Sequence, residues 1–174
     1  GCEVYGVASG ERKCDHLAAM GVHHVIDRRE VDPHASLAQH LGVHRLDVSF
    51  NAVGGSSFAK DMRLLGSGGR MVSFGGAQRG ALGPLGTLRF VWSMGLVVPI
   101  MLMMKSRSIL GINMLRIAEH RPAIIEECLA GVVDACAKGQ LRAHVHEVFA
   151  AERLPDALAA LGSGSTMGKV AVRW

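Results

Sequence analysis

The sequence has few of the residues that mark several common classes of protein. Only 5% of its 174 residues are aromatic and 20% are charged, and the basic residues behind the net charge of +4 are scattered. Domains that bind nucleic acid usually carry a basic stripe, so we expect no nucleic-acid partner. With 49% hydrophobic residues and a mean hydropathy of +0.24, the chain can instead bury a substantial core.

Metal-binding and export signals are also missing. The four cysteines form no C-x-x-C pair and the nine histidines no H-E-x-x-H arrangement, which favours reduced thiols and no metal. His144 and His146 would share one face of a strand, a spacing that metal sites use, but no third ligand is near them in the sequence. Gly1 opens directly on a charged, strand-like segment, so we expect no signal peptide and a cytoplasmic location.

The stretch from Leu46 to Ala77 predicts two steps of a parallel sheet. Its first strand ends at Asn51 and turns at Gly54–Gly55, and its second strand, residues 70–74, runs into Gly75–Gly76. Both strands bring glycines to the carboxyl edge of the sheet. Ligands of open α/β sheets lie at this edge, and glycine lets the backbone approach them closely. The pattern favours a nucleotide crevice over glycines that only make tight turns.

A helix is predicted between these strands. Ser56 and Ser57 can cap its start, and Gly66 can end it. Its apolar residues recur at helical spacing, and its charged residues point elsewhere. The apolar set is Phe58, Met62 and Leu65, and the charged set is Lys60, Asp61 and Arg63.

The remaining elements continue the alternation. We predict strands over residues 3–8 and 24–27, and helices over residues 11–20 and after Pro33, where Leu37 and Leu41 share one face. Unbroken alternation of strand and helix implies a parallel, doubly wound α/β sheet. Later elements are predicted as a glycine-rich loop from residue 80, a strand over 108–112, a helix over 122–139, a strand near 145–148, a helix over 154–161 and a strand over 169–174.

The apolar run over residues 90–104 has three interpretations. It is shorter than the about 20 residues of a membrane-spanning helix, and it contains Gly95 and Pro99 between Arg89 and Lys105. We therefore expect a buried or partner-facing helix, with an apolar substrate or interface wall as the second interpretation. A membrane span comes third, and a membrane partner is not expected.

Six strings, in order, resemble the carboxyl-terminal half of medium-chain dehydrogenases/reductases, in the quinone oxidoreductase and zinc-type alcohol dehydrogenase-like branch. They are GVAS with a following lysine, HHVIDRRE, DVSFNAVGG, GGRMVSFGG, SILGIN and STMGKVAVRW. The family implies an NAD(P)H-binding Rossmann domain joined to an amino-terminal catalytic domain. On this resemblance, residues 1–120 are a partial Rossmann domain, and residues 121–174 complete it and return toward the catalytic domain.

The resemblance also implies what is absent. The first Rossmann strand, its glycine-rich phosphate loop and its first helix have no counterpart here. That strand is central in the usual strand order, so two half-sheets should remain without the strand that joins them. Because such half-sheets expose open edges, we interpret the sequence as a fragment of a longer protein rather than a repacked chain.

NADPH is the cofactor that the resemblance implies. Ala8, Ser9 and Gly10 end the first strand in place of the carboxylate of NAD enzymes. Lys13 matches the family lysine that meets the 2′-phosphate, and Arg28 stands where a second phosphate contact is common. The alternative for Lys13 is a solvated lysine at a helix start. The other implied cofactor contacts are Asn51, Val53, Gly54, Phe74, Gly75, Gly76, Ile112, Asn113 and Lys169.

The implied activity is hydride transfer to a small apolar carbonyl or quinone substrate. Its catalytic residues would lie in the absent domain and stay unassigned, and the isolated fragment should be inactive. We expect a homodimer through the strand at residues 108–114. A second interpretation is a nucleotide-binding or membrane-associated protein without turnover, which resembles the vesicle amine transport homologues and uses residues 90–104 as its contact surface. A methyltransferase fits poorly, because no acidic residue ends the first strand.

Overall fold

A computed structural model describes residues 1–76 and 86–174 of the chain. These residues form two compact units, Gly1–Leu115 and Arg116–Trp174. Most of the glycine-rich loop predicted from residue 80 lies outside the described residues.

Strands and helices alternate along the first unit. Its elements are β1 (Tyr5–Ala8), α1 (Glu11–Ala19), β2 (His24–Asp27), α2 (Pro33–Leu41), β3 (Leu46–Asn51), α3 (Ser56–Leu64), β4 (Leu65–Ser73), α4 (Gly86–Met94), α5 (Pro99–Lys105) and β5 (Ser108–Gly111). Helix α6 (Met114–His120), which the sequence did not indicate, crosses the boundary between the units. The second unit continues with α7 (Pro122–Ala137), β6 (Val145–Ala150), a 3₁₀ turn (Ala151–Arg153), α8 (Leu154–Ser163) and β7 (Lys169–Arg173).

The described strands form three parallel sheets. Strand β1 pairs with β2, the order β3–β4–β5 makes the second sheet, and β6 pairs with β7. The first two are the half-sheets expected when the strand between them is missing. The parallel α/β class predicted from the alternation is confirmed.

Two apolar clusters hold the first unit together. Ile26, Leu37, Leu41 and Leu64 pack where β2, α2 and α3 meet, which confirms the apolar face predicted for α2. Phe58, Leu65 and Met71 form the second cluster, and the side chains of Leu65 and Met71 are fully buried. Each buried side chain of this size stabilises the fold by about 1.5–3 kcal/mol relative to exposure.

The ends predicted for α3 and β4 are wrong. Gly55, at a φ of 57°, is the N-cap of α3, so neither serine holds that position. The helix ends at Leu64 and β4 starts at once, before Gly66. Leu46 pairs with Leu65 and Val48 with Arg70, so five steps along β4 match two along β3. The glycines between residues 66 and 69 lie in this β-bulge, where extra residues bend a strand without ending it.

The apolar run is two helices rather than one. Gly95, at a φ of 80°, breaks it between α4 and α5. By length and composition alone, the segment Gly86–Lys105 is apolar enough to cross a membrane, with a mean hydropathy of 1.7. Most of its side chains are exposed within the described chain, with Trp92 at 86% and Leu96 at 90%, whereas Met94 packs against the cluster around Phe58. The expectation of a buried helix is therefore wrong, and that of a partner-facing surface stays a prediction.

Candidate functional site

The carboxyl ends of three neighbouring strands meet at one edge of the second sheet. Asn51 of β3 lies opposite Ser73 of β4, which lies opposite Gly111 of β5. The pairing continues past the strands, because Phe74 N donates to Asn51 O at 3.1 Å and Ile112 N to Ser73 O at 2.8 Å. Parallel strands in this register bring the residues after β3, β4 and β5 side by side.

Glycines allow close backbone contact at this edge. A Cβ on Gly75 would lie 2.5 Å from Ala52 O, and one on Gly54 would lie 2.5 Å from Phe90 Cζ. Gly54 also has a φ of 69°, which glycine adopts at low cost. Beside these turns is an open cleft of about 570 Å³, lined by residues 73–76 and 111–115.

The side chain of Asn51 shapes the turn after β3. Its Nδ2 donates to Ser57 Oγ at 2.9 Å and to Asp61 Oδ2 at 2.6 Å. Its Oδ1 accepts from Val53 N at 3.0 Å and from Gly54 N at 2.7 Å. Asn51 is 4% exposed, and these bonds use both of its donors and its acceptor.

The ends of β1 and β2 form a second, cationic group. Asp27 lies opposite Ala8, and both of its carboxylate oxygens accept from Gly10 N at 3.0 Å. Its Oδ1 also accepts from Arg29 N at 2.9 Å. These N–H groups of Arg29 and Gly10 lower the pKa of the Asp27 carboxyl below its ordinary value. The carboxylate therefore ties the Ser9–Gly10 turn to the neighbouring strand.

Arg29 lies closer to this turn than the sequence indicated. A Cβ on Gly10 would lie 3.0 Å from Arg29 Nη1, so the guanidinium covers the backbone where α1 begins. Arg28 is exposed, and its backbone N–H donates to Ala8 O at 3.0 Å. Lys13 is half-buried in the first turn of α1. Two adjacent arginines at a strand end could not be told apart from the sequence.

The structure gathers most of the predicted residues into these two groups. The first comprises Asn51, Val53, Gly54, Phe74, Gly75, Gly76, Ile112 and Asn113. The second comprises Ser9, Lys13 and Arg28. Lys169 begins β7 in the second unit and is exposed there, apart from both groups.

Sequence reasoning missed Asp61 and His34. The helical pattern sets Asp61 among the charged residues that point away from the apolar face, yet it is only 17% exposed and lies 2.7 Å from His34 Nε2. Its other oxygen accepts from Ser49 and Asn51. Asp61 lies ten residues after Asn51, and helix geometry rather than any short motif brings the two together.

Within residues 1–76 and 86–174, no three His, Cys, Asp or Glu side chains could hold a metal ion together. His144 and His146 therefore have no third ligand in the described chain.

Glycine-tipped parallel strands that end on a cleft are typical of nucleotide-binding α/β proteins. The sequence model of the family described as zinc-binding dehydrogenase matches residues 20–172. The chain belongs to this family, as the cofactor-binding, carboxyl-terminal part of the medium-chain dehydrogenases/reductases.

Individual relatives agree with this assignment. The human synaptic vesicle membrane protein VAT-1 homolog is 26% identical over 171 residues, which cover 96% of this chain and 42% of the relative. The quinone oxidoreductase from Thermus thermophilus, solved also with NADPH, has a TM-score of 0.70 and 25% identity over 99% of this chain. CurA from Vibrio vulnificus, solved in complex with NADPH, has a TM-score of 0.69 and 25% identity over 99% of this chain. The match covers half of each of these two solved chains. The resemblance to a Rossmann-like half of this family is confirmed.

Proposed function

We propose that the protein is an NADPH-dependent oxidoreductase of quinones or enones, and that this chain supplies its cofactor-binding part. The observation that carries the proposal is the register of Asn51, Ser73 and Gly111. It sets the glycine-containing ends of β4 and β5 along one cleft, with the turn after β3 packed beside the turn after β4. The NADPH complexes of CurA and of the Thermus quinone oxidoreductase support the choice of cofactor.

The two groups of residues have separate roles in this proposal. Gly54 and Gly75 let the dinucleotide approach the backbone, and Phe74 and Ile112 give the open cleft apolar walls. Ser9, Lys13 and Arg29 hold the 2′-phosphate. Asp27 stays ionised near this group, with its oxygens bound to the N–H groups of Gly10 and Arg29, and the side chains of Lys13 and Arg29 supply the opposite charge. The bound nicotinamide would supply the hydride.

Calorimetric titration of the full-length protein with NADPH and with NADH tests the cofactor. We expect tighter binding of NADPH, because β1 ends without the carboxylate of NAD enzymes and cations lie beside it. Tighter binding of NADH, or binding of neither nucleotide, would count against the proposal. The substrate class is tested on the full-length protein that contains this chain, by the loss of NADPH absorbance with a benzoquinone and with a 2-enone, where activity on neither refutes it.

We also propose a homodimer through β5. This strand is at the edge of its sheet in the described chain, and Leu110 is half exposed beside the open backbone. Pairing with a second β5 would cover this edge. Leu110→Lys should convert a dimer to a monomer in light scattering, whereas Leu88→Lys on α4 should not. A wild-type monomer would refute the proposal.

A second candidate function is contact with an anionic membrane surface, as favoured by the exposed segment Gly86–Lys105. Between Asp61 and Glu119 the sequence has no aspartate or glutamate, whereas Arg89 and Lys105 lie in or at the end of this apolar segment. Exposed apolar side chains beside cations suit the interface of an anionic bilayer.

Vesicle binding distinguishes this candidate from the first. In a Trp174→Phe variant, Trp92 is the single remaining tryptophan, and its fluorescence should shift to the blue with phosphatidylglycerol vesicles but not with phosphatidylcholine vesicles. The shift should shrink with added salt. No shift with either vesicle excludes the membrane candidate and leaves the oxidoreductase proposal untouched.

A further inference from the structure

Asp61 joins three elements of the first unit. It lies on α3, and its Oδ1 is 2.7 Å from Nε2 of His34 on α2. Its Oδ2 accepts from Ser49 Oγ at 3.0 Å and from Asn51 Nδ2 at 2.6 Å, both on β3. An ionised carboxylate can only accept hydrogen bonds, so each partner must turn a donor toward it.

This requirement fixes the orientation of the Asn51 amide. Because Nδ2 faces Asp61, Oδ1 must face the opposite way, where Val53 N and Gly54 N donate to it. A flipped amide would set Oδ1 against a carboxylate and Nδ2 against two N–H donors, which would leave buried groups unpaired at both ends. Ser57 supports the same orientation, since its Oγ accepts from Asn51 and donates to Gly54 O at 2.8 Å.

We infer that Asp61 is a positioning residue that holds the Val53–Gly54 turn in its binding shape by fixing the amide of Asn51. The inference rests on the proposed function, since that turn packs against Gly75, which lines the proposed cofactor cleft. Asp61 itself is not among the residues that line the cleft. Gly54 carries a left-handed φ and packs against the Gly75 turn, so a shift of the first turn would move the second.

The Val53–Gly54 turn would contact the part of the dinucleotide that NADPH and NADH share. Loss of Asp61 should therefore weaken the binding of both nucleotides equally. Loss of Lys13, in the group at the ends of β1 and β2, should weaken the binding of NADPH alone. The two kinds of variant separate a positioning role from recognition of the phosphate.

The test compares Asp61→Ala with Asp61→Asn and with Asp47→Ala, which removes an exposed carboxylate from β3. Amide hydrogen exchange of Val53 and Gly54, followed by NMR, reports the turn directly. We expect Asp61→Ala to speed both exchanges by about tenfold or more and to weaken NADPH and NADH by the same factor. Asp61→Asn should restore most of the slow exchange and most of the nucleotide affinity. Its amide oxygen can accept from Asn51 while its nitrogen donates to His34.

Unchanged exchange at Val53 and Gly54 in Asp61→Ala, or an equal effect of Asp47→Ala, would overturn the inference. If Asp61→Ala does not fold, Asp61→Glu replaces it, since the charge stays and the carboxylate moves by one methylene. If Asp61→Ala speeds the exchange but the wild-type protein binds neither nucleotide, the contact between Asp61 and Asn51 is confirmed and the proposed function is refuted. Failure of the two ideas can therefore be told apart.

Discussion

The carboxylate of Asp27 binds the backbone N–H of Gly10 through both of its oxygens, each 3.0 Å from the nitrogen. Gly10 is the N-cap of α1 and Asp27 is the last residue of β2. One side chain therefore joins a strand end to the start of a neighbouring helix. Ionised carboxylates accept such hydrogen bonds much better than protonated ones.

Asp27→Asn should remove part of the acid sensitivity of the fold. The pKa of Asp27 is lowered in the folded protein below its ordinary value of 3.8. Its contribution is therefore fully present above that value and is lost as pH falls through the lower, folded pKa. Urea unfolding at a series of pH values should show a stability difference between wild type and Asp27→Asn that is constant near neutrality and shrinks below 3.8. The matched control is Asp15→Asn, which replaces an exposed carboxylate on α1. A difference that grows toward low pH would contradict the prediction.

Lys13→Ala should weaken NADPH by about tenfold or more and leave NADH unchanged, because a hydrogen bond to a charged group is worth about 1.5–3 kcal/mol. Arg29→Ala should act in the same direction, since its guanidinium covers the same turn. Calorimetric titration of both nucleotides measures the effect. Arg12→Ala, on the exposed side of the same helix turn, is the control and should change neither affinity. Equal weakening of NADPH and NADH by Lys13→Ala would refute its assignment to the 2′-phosphate.

Gly75→Ala should lower the free energy of unfolding by about 1–3 kcal/mol, the usual cost of overpacking. Its new Cβ would press on the carbonyl oxygen of Ala52, which is backbone and cannot rotate away. Gly111→Ala is a matched control on the same cleft, because its Cβ would meet no described atom within 4 Å. Surface substitutions of that kind usually change stability by less than about 0.5 kcal/mol. Urea unfolding of the two variants measures the two changes in free energy of unfolding. Similar losses in both variants would show that the close contact between Gly75 and Ala52 is unimportant for stability.

Arg107→Ala should destabilise the first unit by about 2 kcal/mol. The guanidinium donates to Met62 O at 2.6 Å and to Leu65 O, and so satisfies carbonyls where α3 ends and β4 begins. A cation is also favourable at that end of a helix. Arg107→Lys should retain only part of the stability, because an ammonium cannot reach both carbonyls as a planar fork does. In thermal unfolding, the Tm should be highest for the wild type, lower for Arg107→Lys and lowest for Arg107→Ala. The control Arg89→Ala, at an exposed position, should have a Tm close to that of the wild type. Equal stability of the alanine and lysine variants would argue against the two-carbonyl contact.

The sequence predicts strand positions well where the apolar pattern and the turn residues agree. Strand β2 covers residues 24–27 as predicted, and β3 ends at Asn51, before the glycine turn, as predicted. The apolar residues of β3 are nevertheless exposed in the described chain, Val48 at 41% and Phe50 at 74%. The meeting of the strand ends could also be predicted, because strands that alternate with helices pair in parallel and end at one edge. The position of β5 beside β4 followed from the family resemblance and from no local signal.

Other features depend on contacts that no short pattern encodes. The glycines after Leu65 predict a turn, yet the backbone pairs through them as a bulge, and glycine is compatible with both. The residues next to Asp61 in the sequence predict a solvent-exposed position on a helix. Asp61 is instead paired with a histidine that lies twenty-seven residues before it. Arg28 and Arg29 are chemically equivalent in the sequence. Only the backbone direction after β2 places the guanidinium of Arg29 over Gly10.

The two half-sheets of the first unit are joined through apolar packing of Ile26, Leu37, Leu41 and Leu64 rather than through a shared hydrogen-bond ladder among the described strands. In the proposed function, coenzyme choice on β1 and β2 and the floor of the cleft on β3 to β5 belong to two sheets that share packing but no hydrogen-bond ladder among the described strands. On that proposal, residues of the first sheet could be exchanged to switch between phosphorylated and unphosphorylated coenzymes while the second sheet stays as it is.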